Sequence, residues 1–154
     1  MNAMRPVMMR PILFASIALL ICSVSAAAKD KSLEEMQQEA QSASLKEQPK
    51  LYIKIAQAQL HLADKAFSAG NSASAQVAVD NVGEFATKAT DAAIESGSRL
   101  KKTEIDIRKM ADKLRDIKRN LNFDDQAPVE SVRNKLEDLR SKLLTSMFTK
   151  KKKK

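Results

Sequence analysis

His61 is the only histidine in the chain, so any histidine-based site has to be built around it. Asp64 stands three residues on, close to one helical turn away, which sets an imidazole and a carboxylate on one face. A carboxylate-bridged di-metal bundle needs two Glu-x-x-His motifs and further glutamates, and no Glu-x-x-His occurs. General acid–base work by His61 would need a partner that orients the ring and a pocket around it. Neither is encoded nearby, and His61 is read as a helix-surface or boundary residue without a role. The stretch "NLNFDDQAPVE" sets Asn122, Asp124 and Gln126 at alternate positions, as oxygen ligands stand in a calcium loop. Such a loop continues with Gly and closes on Glu, where this chain has Ala127 and Arg133; the segment is read as a capped interhelical turn. There is no Gly-rich phosphate loop and no Gly-x-Ser-x-Gly elbow. The expectation is a protein that is not an enzyme, with no catalytic or metal-binding residues and no cofactors.

The residues that stand out are cationic. Lys150, Lys151, Lys152, Lys153 and Lys154 close the chain, and the segment from Arg99 to Arg119 carries nine basic residues against four acids. Local ion pairs are expected between Glu104 and Arg108 and between Asp112 and Arg115. Each lysine near an anionic membrane contributes roughly 1 kcal/mol, screened within a Debye length. The five lysines with Arg108, Arg115 and Arg119 are therefore the candidate contact for an anionic surface, with the basic helix acting together with the tail. A solvated charged face and a solubility tail are the alternative readings of the same residues.

Net charge sharpens this. The formal charge is +8 at pH 7. Of the 27 basic residues, Arg5 and Arg10 precede residue 29 and five close the chain, which leaves 20 against 19 acids between 29 and 149. The body is almost neutral. A nucleic-acid-binding domain carries its basic excess within the folded surface, and stacking aromatics are sparse, with one Tyr and no Trp. Nucleic acid is a poor partner.

Residues 1–28 have the layout of a cleavable secretory signal peptide. Arg5 and Arg10 form the basic part, Ile12 to Cys22 the apolar part, and Ser23 to Ala28 the small-residue part. Cleavage after Ala26 and cleavage after Ala28 both satisfy the small-residue rule. The apolar part is roughly half of the ~20 residues that cross a bilayer, so no transmembrane segment is expected in the mature protein. A lipoprotein would need a small residue before Cys22, where Ile21 stands. Cys22 is the only cysteine, so the mature chain would have none; disulfides, thiol nucleophiles and thiolate metal sites are excluded together. The location implied is periplasmic or extracellular.

The elements that carry these residues read as helices, because Ala, Leu, Lys, Glu and Ser dominate and no alternating strand pattern occurs. The first, about 32–47, starts at Ser32 with Glu35 completing a capping box; its apolar stripe is thin, so loose docking is expected. Pro49 suits the first turn of a second helix, about 50–69, with two stripes: Leu51, Ile55, Ala58, Leu62, Ala66, and Ile53, Ala56, Leu60, Ala63, Phe67. Gly70 and Gly97 suit left-handed stops around a third helix, about 72–96, whose alanine-rich face includes Gly83, a mid-helix glycine that fits a crowded contact. Ile107, Met110, Leu114, Ile117 and Leu121 mark a fourth, about 99–121. Val129, Val132, Leu136, Leu139 and Leu143 mark a fifth, about 128–148, with Pro128 in its first turn. The fold class expected is all-α: an antiparallel bundle of two hairpins plus a loosely docked leading helix, in one domain from 29 to 149, with the polylysine tail at 150–154.

At Leu62, Ala63, Gly70 and Ala75 the spacing resembles one tetratricopeptide-type helical hairpin, over about residues 51–96. The chain departs from that pattern at Gln59, Ser72 and Thr87, and no second copy follows at the repeat period of about 34 residues. The resemblance implies a helix pair and not a peptide-binding solenoid. The functional expectation is an exported interaction or scaffold protein of the cell envelope, whose partner is a protein or an anionic envelope surface met by the basic tail. The alternative is a periplasmic chaperone-like protein that holds client chains on an elongated hairpin.

Overall fold

The structure is a computed structural model, and it describes residues 31–151, with side chains to 149. The signal-peptide segment 1–28 and Lys152 to Lys154 lie outside the described residues. Those residues form five helices and no strand: α1 (Leu33–Ser42), α2 (Gln48–Ser68), α3 (Ser72–Ser96), α4 (Leu100–Arg119) and α5 (Phe123–Lys151).

Local chemistry accounts for most of the boundaries. Ser32 accepts from the Glu35 amide at 3.2 Å, and Glu35 accepts from the Ser32 amide at 3.2 Å, which completes the capping box. Asn71 Oδ1 accepts from the Ser74 amide at 3.1 Å and opens α3. Gly70 and Gly97 adopt φ of +73° and +64°, the left-handed geometry that suits glycine after a helix. Two boundaries differ from the sequence expectation. Helix α1 ends at Ser42 instead of near 47, because Ala43 turns to extended backbone with φ −72° and ψ 156°. Helix α5 starts at Phe123, not 128. Asp124 and Asp125 favour its first turn through the helix dipole, and Gln126 Nε2 donates to the Leu121 carbonyl at 3.0 Å. Pro128 therefore sits inside the helix, where it has no amide to offer the Asp124 carbonyl.

The helices pack as two hairpins, α2 on α3 and α4 on α5, with α3 also against α5 and α2 against α4. Pairs between the hairpins give the direction. Glu47 at the start of α2 meets Arg99 at the start of α4 at 3.3 Å, and Asp64 later in α2 meets Lys113 later in α4 at 2.8 Å. Ser72 at the start of α3 donates to Asp125 at the start of α5 at 2.9 Å. Partners within a hairpin are thus antiparallel, while α2/α4 and α3/α5 run parallel. The starts of α2 and α4 consequently lie at the end of the bundle where α3 and α5 finish.

The core follows the expected stripes. Ile107, Met110, Leu114 and Ile117 of α4 and Val129, Val132, Leu136, Leu139 and Leu143 of α5 are all buried. So is the small-residue face of α3, from Ala75 and Ala78 to Ala89 and Ala93, with Gly83 among them. On α2, Ile53, Ile55, Ala56, Leu60 and Ala63 are buried, but Leu62, placed in a stripe by its spacing, is 42% exposed. Helix α1 touches only α2 among the helices; Ala40 is buried, and Leu33 and Met36 pack on the core. Its ten residues reach the Leu51 end of α2, and the Leu62 side beyond them stays open.

Gly83 marks a close approach between α3 and α5. A Cβ there would lie 3.3 Å from Val132 Cγ1 and 3.4 Å from Lys135 Cδ. Gly83→Leu drives a whole side chain into that contact and is expected to destabilise the fold by about 1–3 kcal/mol, the usual cost of overpacking. The drop in urea midpoint of the variant measures it; an unchanged midpoint would mean that α3 and α5 are not in contact at Gly83.

Candidate anionic-surface site

The cations singled out by the sequence fall into two groups at opposite ends of the bundle. Arg115 and Arg119 are exposed in the second half of α4, near its turn into α5. Lys150 and Lys151 continue the last turn of α5, at the other end; the remaining three lysines are outside the described residues. From Glu130, which faces Lys118 of α4, to Lys150 is 20 residues of helix, about 30 Å at ~1.5 Å per residue. Arg108 lies between them, exposed and with no ion pair among the described residues. Arg115 and Arg119 thus stand at the opposite end of the described bundle from the start of the lysine run.

The Arg115 end is a cleft of about 340 Å³ lined by Arg115, Lys118, Arg119, Gln126, Glu130 and Arg133. Its charges are largely answered from within. Arg115 meets Asp112 at 3.0 Å and Arg119 meets Asp116 at 3.6 Å, each within one helical turn. Glu130 accepts from Arg133 Nη2 at 2.7 Å and Nε at 3.0 Å, and from Lys118 Nζ at 3.0 Å. These donors, Arg133 foremost, hold the Glu130 carboxyl at about 2, well below the ordinary carboxylate value. An incoming anion would have to displace Glu130 from three charge-assisted bonds. The Asp112–Arg115 pair matches its sequence expectation. The Glu104–Arg108 pair does not form: Glu104 accepts instead from Arg140 Nε at 2.7 Å across to α5. Glu104 is 8% exposed, on the inward side of α4, and Arg108 points to solvent.

The α5 end differs. Phe148 is 64% exposed and Leu144 is half-buried, and both line a shallow groove on the flank of α5. Phe148 stands five residues past Leu143, about 140° off the buried stripe, so its exposure was encoded in the spacing. The lysine run begins within the last turn of α5, with only Thr149 between Phe148 and Lys150. His61 is exposed, and its spacing partner Asp64 is engaged by Lys113. In the segment read from sequence as a capped interhelical turn, Asp125 accepts from Ser72 and Gln76. Among the described residues no group of three or more His, Cys, Asp or Glu is placed to hold a metal ion, and no helix is long and apolar enough to cross a membrane.

Glu130 gives the α4–α5 end an acid dependence. A carboxyl lowered from 4.5 to about 2 on folding contributes stability that is fully present above pH 4.5 and is lost as pH falls towards 2. With the Glu130 side chain 30% exposed, solvent keeps the effect modest. Glu130→Gln is expected to be less stable than the parent at pH 6, with the gap closing as pH falls from 4.5 to 2. Thermal midpoints of both proteins across that range check it, and a gap that stays constant would contradict it.

Comparison of the chain with protein-family models, with curated proteins and with solved structures returned no match in any of the three.

Proposed function

We propose that the chain is an exported, non-enzymatic interaction protein of the cell envelope, and that it attaches weakly to an anionic membrane surface through the C-terminal end of α5. The observation that carries this reading is the exposed Phe148, one helical turn from half-buried Leu144 and separated only by Thr149 from five lysines. Exposed apolar side chains beside clustered cations are the composition of an interfacial contact: the apolar groups enter the headgroup region while the lysines stay at the anionic plane. The almost neutral body supports the same reading, because attraction is then confined to one end. Export rests on the pattern of residues 1–28.

Client binding on the last hairpin, the chaperone-like alternative, would use the apolar stripe of α4 and α5. Those side chains are spent in the core. The apolar residues left exposed, such as Leu45, Leu62, Val77 and Phe123, are scattered over separate elements, and scattered exposed apolar residues are ordinary.

Sedimentation with vesicles of phosphatidylglycerol and phosphatidylcholine tests the attachment. The full chain is expected to bind at low salt and to release at high salt, and a chain ending at Thr149 to bind at least about tenfold more weakly, since each lysine contributes up to roughly 1 kcal/mol. Phe148→Ala is expected to weaken binding several-fold with the lysines intact. Equal binding by the full and shortened chains at every salt concentration would remove the tail from the function.

A further inference from the structure

We infer that the cleft between the first halves of α2 and α4 is a binding site for a phosphate-type oxyanion. It rests on the proposed attachment only for the source of the phosphate, and not for the site itself. The cleft measures about 230 Å³, several times the ~30 Å³ share of one water in the liquid, so a phosphate fits with some of its hydration. Four cations line it: Lys50 and Lys54, one turn apart on α2, with Arg99 just before α4 and Lys102 in its first turn. Asp106 is the one lining acid, and it is held by Lys102 at 2.7 Å. Arg99 is shared with Glu47 at 3.3 Å, outside the lining. Lys50 and Lys54 form no ion pair among the described residues, although Glu39 of α1, itself paired with Lys31 at 2.8 Å, lines the neighbouring groove with Lys54. The cleft therefore gathers more positive charge than its own acids answer, unlike the Arg115 cleft at the far end.

Thr103 lines the cleft as well, and a threonine hydroxyl is a donor that an oxyanion accepts from. Helix α4 also starts at this mouth with no side-chain cap, so its first-turn amides add positive partial charge. The cleft lies at the end of the bundle where α5 finishes. A phosphate there comes either free from solution or as the headgroup of a lipid on the surface that the tail meets.

Amide NMR of the full chain at constant ionic strength, titrated with inorganic phosphate, reads the free source. Phosphatidylglycerol vesicles, added to the chain ending at Thr149, read the lipid source. The expected result is a saturable response centred on Lys102 and Thr103 in at least one arm, weakened at least about tenfold in the Lys50→Ala/Lys54→Ala double variant. The Lys101→Ala/Arg108→Ala variant, which loses the same charge outside the cleft, should change less than about twofold. Thr103→Val should weaken binding without the salt dependence changing. No saturable response in either arm, or equal weakening by the two double variants, overturns the site. A cleft that binds phosphate while vesicle binding ignores the tail would sink the proposed attachment alone.

Discussion

The small-residue face of α3 is the constraint on which the rest of the bundle depends. This helix touches α2, α4 and α5, and it does so mainly with Ala, Val and one glycine, Phe85 being its one large buried side chain. Close approach at Gly83 lets α5 lie along α3 in the same direction, with Val132 in the space a side chain would occupy. Once α3 and α5 are parallel, the short turns after Gly97 and Asn120 oblige α4 to run beside α2, also parallel. The ion pairs Glu47–Arg99 and Asp64–Lys113 lie along that second seam. They are exposed pairs, and the seam owes its stability to burial of Ile53, Ile107 and their neighbours more than to charge.

Function follows from that direction. Because α2 and α4 begin where α5 ends, Lys50, Lys54, Arg99 and Lys102 share one end of the molecule with the exposed Phe148 and the start of the lysine run. The opposite end holds as many cations, but its acids answer them: Glu130 gathers Lys118 and Arg133, while Asp112 and Asp116 take Arg115 and Arg119. Number of basic residues does not distinguish the two ends; the placement of carboxylates does.

Much of the fold was legible because its signals are local. The stripes of α4 and α5, the caps at Ser32 and Asn71 and the stops at Gly70 and Gly97 each involve residues a few positions apart. What was not legible depends on packing between distant segments. Spacing within α2 cannot tell that α1 stops short of Leu62, and a proline that normally opens a helix hid the turn at Phe123–Ala127. Spacing within α4 pairs Glu104 with Arg108, and only the approach of α5 shows that Arg140 takes it. Lys50 and Lys54 raise no alarm in sequence, since Arg99 and Lys102 stand about 50 positions away. Arg108, Arg115 and Arg119 drew attention as a cationic face, and only the fold shows that Arg115 and Arg119 lie at the far end of the bundle from the start of the lysine run.

The most direct test of end-on attachment is paramagnetic attenuation of amide signals on anionic vesicles that carry a chelated gadolinium lipid. With the α5 end at the surface, signals of Lys50, Lys102 and Phe148 lose intensity first, and those of Arg115, Arg119 and Phe123, about 30 Å along the bundle, persist. Strongest attenuation at Arg115 and Arg119, or equal attenuation at both ends, would contradict it.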